Sequence, residues 1–315
     1  MTNISETIPN SGTTNRIIFF GTEEFSAKSL KALLDANFDI AAVVTKPDQP
    51  KGRGHKLTEP VVKTIAREHN IPVWQPTKLA EIKDQITTLQ PVTGVLVSYG
   101  KIIPQSIIDL FTPGIVNVHP SLLPKYRGSS PIESAILHGD HETGVSIMQL
   151  SAQMDAGPVY SRILQALTGT ETQPELYNKL SEAGAHQLVS VLPSIISGQL
   201  QPTPQDETEA TYCQLIQKSD GIIDWQKSAE QIEREIRAYK TWPQSRTTLG
   251  SVDAIITKAH VDIDGCEGII IEGKTPDHLN IHCGDGWTLG IDMIKPIGKK
   301  EMPIQAFLAG YRDKI

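Results

Sequence analysis

An asparagine and a histidine two residues apart close a short apolar run in the stretch NVHPSLLPKYRG. Asn117 and His119 alternate with valines, so both side chains are expected on one face of a strand. An Asn amide can donate to an oxygen that gains negative charge, and an imidazole can take up a proton near neutral pH. Pro120 and Pro124 stiffen the loop that follows.

An aspartate farther along the chain is the third candidate. Asp155 lies in the turn sequence QMDAGP between two predicted strands. Asp is common in turns and alone is weak evidence, but a carboxylate beside His119 would favour the charged imidazole. Together the three side chains suit attack of an amine on a carbonyl carbon. Three separate structural roles, as edge residue, core histidine and turn residue, are the alternative.

Neither a covalent acyl-enzyme nor a metal centre is expected at this site. No Ser or Cys nucleophile with its own base is evident, and His119 and Asp155 have no third ligand at a suitable spacing. We therefore expect direct transfer between two bound substrates, with no metal.

Alternating strands and helices are expected to position these side chains. The pattern predicts an α/β domain with a Rossmann-like, mostly parallel sheet, whose loops at the strand ends meet along one rim. The expected strands are 17–20, 40–44, 73–74, 95–97, 115–118, 145–150 and 159–164, and the expected helices are 26–36, 59–69 and 174–196.

The sequence predicts four segments. Residues 1–14 are expected to be a disordered tail, and residues 15–196 form the α/β domain. Residues 197–211, rich in Pro, Thr and acidic side chains, are interpreted as a linker. Residues 212–315 combine one amphipathic helix with short strands cut by glycines, which favours a small β-barrel.

Composition excludes several classes of protein. The 315 residues include 29 Lys and Arg against 36 Asp and Glu, a net charge of −7, so this is no polybasic nucleic-acid coat protein. Three cysteines without CxxC spacing fit a reducing compartment. No apolar run approaches the roughly 20 residues of a membrane span, and the first residues resemble no targeting peptide. We expect a cytoplasmic protein with no membrane partner.

The turn after the first strand, FGTEEF, lacks the GxGxxG spacing of a dinucleotide fold. Glu23 and Glu24 would repel a phosphate, so NAD or nucleotide binding there is not expected. A helix start, whose dipole favours acidic residues, is enough to explain both glutamates, and a role beside a cationic or aminoacyl group is the alternative.

A basic segment follows the second strand. Residues 46–63 carry five Lys or Arg against two acidic residues, on a loop with Gly52 and Gly54. The segment is either a solvated loop or a set of phosphate contacts. The candidate RNA-binding residues are Lys46, Lys51, Arg53 and Lys56.

The pattern N-x-H-x-S-L-L-P-x-x-x-G with a later D-x-G resembles the folate-dependent formyltransferases. The resemblance covers roughly residues 16–311 and extends to TKPDQPKGRG at 45–54, YGKIIP at 99–104, and the Trp225 and Trp242-Pro243 region. Within this superfamily it is greatest to the enzymes that act on methionyl-tRNA. Pro120 and the pair Ser129-Ser130 depart from the usual pattern of those enzymes.

The resemblance implies a specific reaction. The formyl group of 10-formyltetrahydrofolate would pass to the α-amino group of methionyl initiator tRNA, with an oligonucleotide-binding-like barrel as the C-terminal domain and the basic segment probing the tRNA acceptor end. A monomer is expected. The catalytic residues would be Asn117, His119 and Asp155, and the folate-binding residues Ser121, Leu122, Leu123 and Pro124.

Three other functions stay open at this point. An enzyme that formylates an amino-sugar nucleotide would share the catalytic residues and also have a second domain, so the basic segment discriminates against it. A glycinamide ribonucleotide formyltransferase is disfavoured because the first turn has no phosphate cradle. The last alternative is a non-catalytic RNA- or folate-binding module that retains the motif.

Overall fold

The computed structural model describes residues 16–51, 56–262 and 278–315; the predicted tail, Arg53 and the side chains of Lys51 and Lys56 lie outside this description. The strands are β1 (Arg16–Gly21), β2 (Ile40–Val44), β3 (Gln49–Lys51), β4 (Lys56–Thr58), β5 (Val73–Trp74), β6 (Val92–Val97), β7 (Ile115–His119), β8 (Arg127–Gly128), β9 (Glu142–Gln149), β10 (Val159–Ala166), β11 (Tyr212–Cys213), β12 (Ser245–Leu249), β13 (Val252–Asp262), β14 (Asn280–His282), β15 (Thr288–Pro296) and β16 (Met302–Pro303). The α-helices are α1 (Glu24–Asp35), α2 (Val61–Glu68), α3 (Lys83–Thr88), α4 (Gln105–Ile108), α5 (Pro131–Leu137), α6 (Gln173–Ile196), α7 (Ala229–Ala238) and α8 (Ile304–Tyr311). Short 3-10 helices span Leu79–Ile82, Glu207–Glu209, Lys218–Gly221 and Arg312–Lys314.

A seven-stranded sheet in the order β10-β9-β7-β6-β1-β2-β5 organises the N-terminal half. The five strands from β7 to β5 run parallel, and β9 runs antiparallel to β7. The apolar residues of β1 and β7 are buried along almost the whole strand, as expected of a parallel sheet covered on both faces. This arrangement confirms the predicted mostly parallel sheet.

Apolar side chains from the strands and from the segments between them fill the core on this sheet. Phe20 contacts the rings of Tyr99 and Phe111 edge to face. Each buried leucine or isoleucine of this size contributes on the order of 1.5–3 kcal/mol through burial. The cluster contains Ile18, Phe20, Val44, Leu79, Ile82, Ile86, Val92, Tyr99, Ile103, Ile107, Ile108, Phe111 and Ile115.

The C-terminal part contains an antiparallel sheet in which β12, β13, β15 and β14 are neighbours and β16 pairs with β15. One face of this sheet packs on α7 and α8, which supply Ile232, Ile236 and Phe307 to a second core. The antiparallel β domain confirms the predicted change of fold class after the α/β half.

All seven predicted strands of the α/β half and its three predicted helices are present, with no end shifted by more than three residues. The hairpin of β3 and β4 and the short helices α3, α4 and α5 are additions that the sequence pattern did not predict. Three-residue strands beside Pro and Gly have too few residues to display an alternating pattern.

The chain divides into two compact units, neither of which is one continuous segment. The first comprises residues 1–119, 146–161 and 181–205, and the second comprises residues 120–145, 162–180 and 206–315. Within the residues described, no helix is both long and apolar enough to cross a membrane.

Candidate active site

Asn117 and His119 lie on β7, the last of the parallel strands. Both are 5% exposed, and alternation along the strand puts them on the same face. Asn117 is paired in register with Leu96 of β6 and Met148 of β9, so backbone hydrogen bonding from both sides fixes its position. The strand is therefore held firmly in the sheet: its apolar residues are buried, and its two polar side chains lie on one face.

The structure brings Asp155 to His119. Nδ1 of His119 lies 3.7 Å from Oδ2 of Asp155, and their side chains are 6% and 17% exposed. That separation is an ion-pair distance, longer than a direct N–H···O hydrogen bond of about 2.7–3.2 Å. Catalytic hydrogen bonds are often long before substrate binds, so the geometry suits a carboxylate that orients an imidazole.

The turn that carries Asp155 has an unusual backbone. Asp155 has φ of +47°, a left-handed conformation that non-glycine residues rarely adopt. Two residues on, a Cβ at Gly157 would lie only 1.8 Å from the carbonyl oxygen of Gln149. The D-x-G spacing therefore has a steric reason, since only glycine lets this turn close against β9.

Gln205 holds the same turn from a distant part of the sequence. Its Nε2 donates 2.7 Å hydrogen bonds to the carbonyl oxygens of Asp155 and Gly157, and the residue is 9% exposed. Thr203, two residues earlier, pairs with Val159 at the start of β10. Gln205 was not among the predicted site residues, because it lies in the segment interpreted as a linker. That segment bonds to the α/β sheet, and its role as the connection between two domains stays a prediction.

The predicted folate loop directly follows His119 in the chain. Within it, Oγ of Ser121 donates to the carbonyl of Lys125 at 2.6 Å, and Nε of Arg162 donates to the carbonyl of Leu123 at 2.7 Å. Leu123 is 1% exposed, whereas Leu122 and Pro124 are only half-buried. Hydrogen bonds at Ser121 and Leu123 thus hold the loop, and part of the apolar surface of Leu122 and Pro124 stays accessible.

The basic segment contains a β-hairpin where the sequence predicted an open loop. Strands β3 and β4 pair antiparallel, with Lys51 opposite Lys56. Lys46 stands apart from the hairpin: its Nζ occupies the space a Cβ would take at Gly100, at 2.3 Å from that position. Of the four predicted RNA-binding residues, Lys51 and Lys56 lie on β3 and β4, Arg53 lies outside the described residues, and Lys46 lies two residues after β2, against the residues that follow β6.

The first turn has the structure of a helix start. Glu23 is the N-cap of α1 and Glu24 lies in its first turn, where the helix dipole favours negative charge. The hydroxyl of Thr22 donates to the carbonyl of Tyr99 at 3.0 Å. Among the described residues, no group of three or more His, Cys, Asp or Glu side chains could hold a metal ion.

The comparisons with known proteins cover nearly the whole chain. A family model described as formyl transferase matches residues 15–192, and one described as formyl transferase, C-terminal domain, matches residues 215–312. The methionyl-tRNA formyltransferase of Sulfurihydrogenibium sp. (strain YO3AOP1) is 39% identical over 305 residues, 95% of this chain and 98% of that protein. The methionyl-tRNA formyltransferase of Myxococcus xanthus is 40% identical over 300 residues, 94% of this chain and 95% of its own length.

Solved structures share the fold at much lower identity. An N-formyltransferase from Helicobacter canadensis, in complex with folinic acid and dTDP-3-aminofucose, matches with a TM-score of 0.68 and 18% identity over 88% of this chain and 98% of its own. HypX from Aquifex aeolicus, in complex with tetrahydrofolic acid, matches with a TM-score of 0.60 and 16% identity over 95% of this chain and 47% of its own. The solved structures show the fold alone, whereas the family models and the relatives at 39% and 40% identity place the chain in the formyl transferase family, among the methionyl-tRNA formyltransferases.

Proposed function

We propose that this chain transfers the formyl group of 10-formyltetrahydrofolate to the α-amino group of methionyl initiator tRNA. The observation that carries the proposal is the His119–Asp155 pair, 3.7 Å apart at the end of a buried strand that also bears Asn117. This pair belongs to a chain that is about 39% identical, over nearly its full length, to methionyl-tRNA formyltransferases.

The three side chains divide the reaction between them. 10-Formyltetrahydrofolate supplies the formyl group, and the folate nitrogen bonded to the formyl carbon is the leaving group. Asn117 donates a hydrogen bond to the formyl oxygen as that oxygen becomes anionic during attack by the amine. His119 accepts the proton of the attacking amine at Nε2, since Nδ1 is the nitrogen nearer Asp155, and returns it to the leaving nitrogen. Asp155 orients the ring and stabilises its charged form.

The loop after His119 suits a flat, partly aromatic donor. Leu122 and Pro124 offer apolar surface for a ring, while Ser121 and Leu123 are held by hydrogen bonds within the loop. We therefore assign Ser121, Leu122, Leu123 and Pro124 to donor binding. The hairpin segment with Lys46, Lys51, Arg53 and Lys56 is assigned to the tRNA, where cations meet phosphates.

The test offers three acceptors with a formyl-labelled donor: methionyl initiator tRNA, N-acetylmethionyl initiator tRNA, and a nucleotide-linked amino sugar. We expect label only on methionyl-tRNA, recovered as N-formylmethionine after deacylation. The acetylated tRNA is the matched control, because its amine is blocked while its RNA is unchanged. Label on the amino sugar alone would instead establish the alternative formyltransferase, and label on neither would favour a binding module. We further infer that the protein is cytoplasmic and that it is a monomer. Light scattering would test the monomeric state.

A further inference from the structure

The loop after β7, residues 120–128, is bonded to a segment 85 residues farther along the chain. Thr211, the last residue of the predicted linker, makes three of these hydrogen bonds. Its amide donates to the carbonyl of Pro124 at 3.2 Å, its Oγ1 accepts from the amide of Tyr126 at 2.9 Å, and its carbonyl accepts from the amide of Arg127 at 2.8 Å. A single residue therefore fixes three points of the loop.

The pairing continues as the two-stranded parallel sheet of β8 and β11. Tyr212 lies opposite Arg127, and Cys213 lies opposite Gly128. Gly128 has φ of +122°, and a Cβ there would lie only 2.2 Å from the carbonyl oxygen of Cys213. Only glycine lets the two strands approach so closely. Gly128 is also the last residue of the motif that begins at Asn117, so this contact gives the motif's glycine a steric reason.

The side chain of Arg127 makes a second set of contacts with segment 207–213. It is 1% exposed, and its two terminal nitrogens donate to the two carboxylate oxygens of Glu207, each at 2.8 Å. Nη1 also donates to the hydroxyl of Tyr212 at 3.2 Å. A buried guanidinium that loses its carboxylate is strongly destabilised, so this ion pair holds segment 207–213 against loop 120–128. Both belong to the same compact unit.

The charges of this pair are stable at neutral pH. Hydrogen bonding to Glu207 raises the pKa of Arg127, and hydrogen bonding from Arg127 lowers the pKa of the Glu207 carboxyl group. Both side chains are therefore ionised under the conditions in which the enzyme would act.

The backbone of loop 120–128 needs such support. Tyr126 has φ of +60°, a left-handed conformation that a bulky residue rarely adopts and that persists where its surroundings determine it. Thr211 accepts the hydrogen bond of its amide, and Asp140 accepts that of its hydroxyl at 2.8 Å. Tyr126 follows the proposed donor-binding residues 121–124 by two positions, so a change in its backbone would displace them.

We propose that Thr211 and Glu207 are positioning residues for the folate donor, which hold loop 120–128 in the shape that binds 10-formyltetrahydrofolate. This inference rests on the proposed function, in which residues 121–124 bind the donor. A loop that is already held in its bound shape loses less conformational entropy when the ligand arrives. Segment 207–213 therefore strengthens donor binding, although it lies outside the catalytic motif.

The first experiment measures the Kd of 10-formyltetrahydrofolate by titration calorimetry, without tRNA. Thr211→Val keeps the shape of the side chain but removes the acceptor of the Tyr126 amide. We expect this variant to raise the Kd roughly 10-fold, because a buried donor is left unpaired in the shape that binds. Thr211→Ser keeps the hydroxyl and recovers most of the affinity. Thr208→Val is the matched control, since its hydroxyl donates to Asp206 within the same segment.

Three results would overturn the role of Thr211. The first is an unchanged Kd in Thr211→Val, and the second is no recovery in Thr211→Ser. The third is an equal rise of the Kd in Thr208→Val. Simple loss of folded protein is distinguishable from all of them, because it lowers the number of binding sites per chain and leaves the Kd unchanged, which also counts against the proposal.

A second pair of variants tests the ion pair. Glu207→Gln keeps the size of the side chain and removes the charge that pairs with Arg127. Glu209→Gln makes the same change of charge two residues on, at an exposed position. We expect Glu207→Gln to raise the donor KM several-fold in steady-state formylation, with the KM for methionyl-tRNA within about twofold of wild type. Equal changes in the two KM values, or equal effects of Glu207→Gln and Glu209→Gln, would contradict the role of Glu207.

Amide hydrogen exchange tests the contact without any substrate. In Thr211→Val, the amide of Tyr126 should exchange several-fold faster than in wild type, while the amides of β1 keep their rates. Unchanged exchange at Tyr126, or uniform acceleration in both places, would overturn the proposal. A wild-type protein that binds the donor but formylates no methionyl-tRNA would instead refute the proposed function, and the Kd and exchange results would still decide the roles of Thr211 and Glu207.

Discussion

At the scale of single residues, the proposed catalytic roles of Asn117, His119 and Asp155 depend on the burial of their side chains. Asn117 and His119 are each 5% exposed, so little water competes for hydrogen bonds at the reacting atoms. Charge interactions are stronger where water is excluded. An amide held by a paired strand also needs no reorganisation as an oxyanion forms, which is where electrostatic catalysis gains most.

Substituting Asn117 by Ala should therefore lower kcat by about 10²–10³-fold, with little change in either KM. The measurement is steady-state formylation of methionyl-tRNA. Thr93→Val is a matched control, because it removes another buried polar group of the same sheet, whose Oγ1 donates to Thr112 at 2.9 Å. We expect that control to keep kcat within about threefold. A comparable loss in both variants would assign the Asn117 effect to folding.

At the scale of elements, the Asp155 turn depends on backbone contacts that lie far apart in sequence. Its left-handed residue and its close approach at Gly157 are stabilised by two hydrogen bonds from Gln205. A residue in such a conformation persists where its surroundings hold it. Gln205 thus holds the backbone of the turn that carries Asp155.

Replacing Gln205 with Glu keeps its shape but removes the amide donor, so both hydrogen bonds to the turn are lost. We expect kcat to fall by roughly 10–100-fold with unchanged KM values, since small misplacements of catalytic groups are costly. Gln187→Glu is the control: its Nε2 donates to Ser161 at 3.0 Å within the same unit. An unaltered kcat in Gln205→Glu would show that the hydrogen bonds from Gln205 to the turn do not contribute to catalysis.

The sequence predicts a site residue well where its neighbours in the chain carry the pattern, and poorly where its hydrogen-bond partners are far away in the chain. Asn117 and His119 were predictable because they end a buried apolar run, and the strand that holds them is confirmed. Gln205 was not, because its partners lie 50 and 48 residues earlier and its own segment resembles a linker. Arg127 is similar: it is 1% exposed and bonds Glu207, 80 residues away, although a loop arginine is usually solvated.

At the scale of the whole molecule, the net charge has the wrong sign for attracting RNA. A net charge of −7 repels RNA at long range, so attraction must come from a local patch. Within residues 46–63, Lys63 forms ion pairs with both acidic side chains, Asp48 and Glu59. If Lys46, Lys51, Arg53 and Lys56 contact the tRNA as proposed, they attract it at short range against the long-range repulsion of the whole chain.

This distribution predicts a limited salt dependence. Four cations can neutralise about four phosphates, so log(kcat/KM) for methionyl-tRNA should fall with log[KCl] at a slope no steeper than about −4. Replacing Lys51 and Arg53 by Ala should make the slope shallower by about 2, while the donor KM keeps its salt dependence. A slope that is unaffected by these substitutions would place the RNA contacts elsewhere.

In the proposed mechanism, His119 moves the proton and Asp155 acts through it. The most direct test is a double-mutant cycle on the single-turnover rate of formyl transfer, using His119→Ala, Asp155→Asn and the double variant at saturating substrates. We predict that His119→Ala lowers the rate by about 10²–10⁴-fold, and that the double variant is no slower than His119→Ala alone. A folded His119→Ala variant with a near wild-type rate, or losses that multiply in the double variant, would contradict the account.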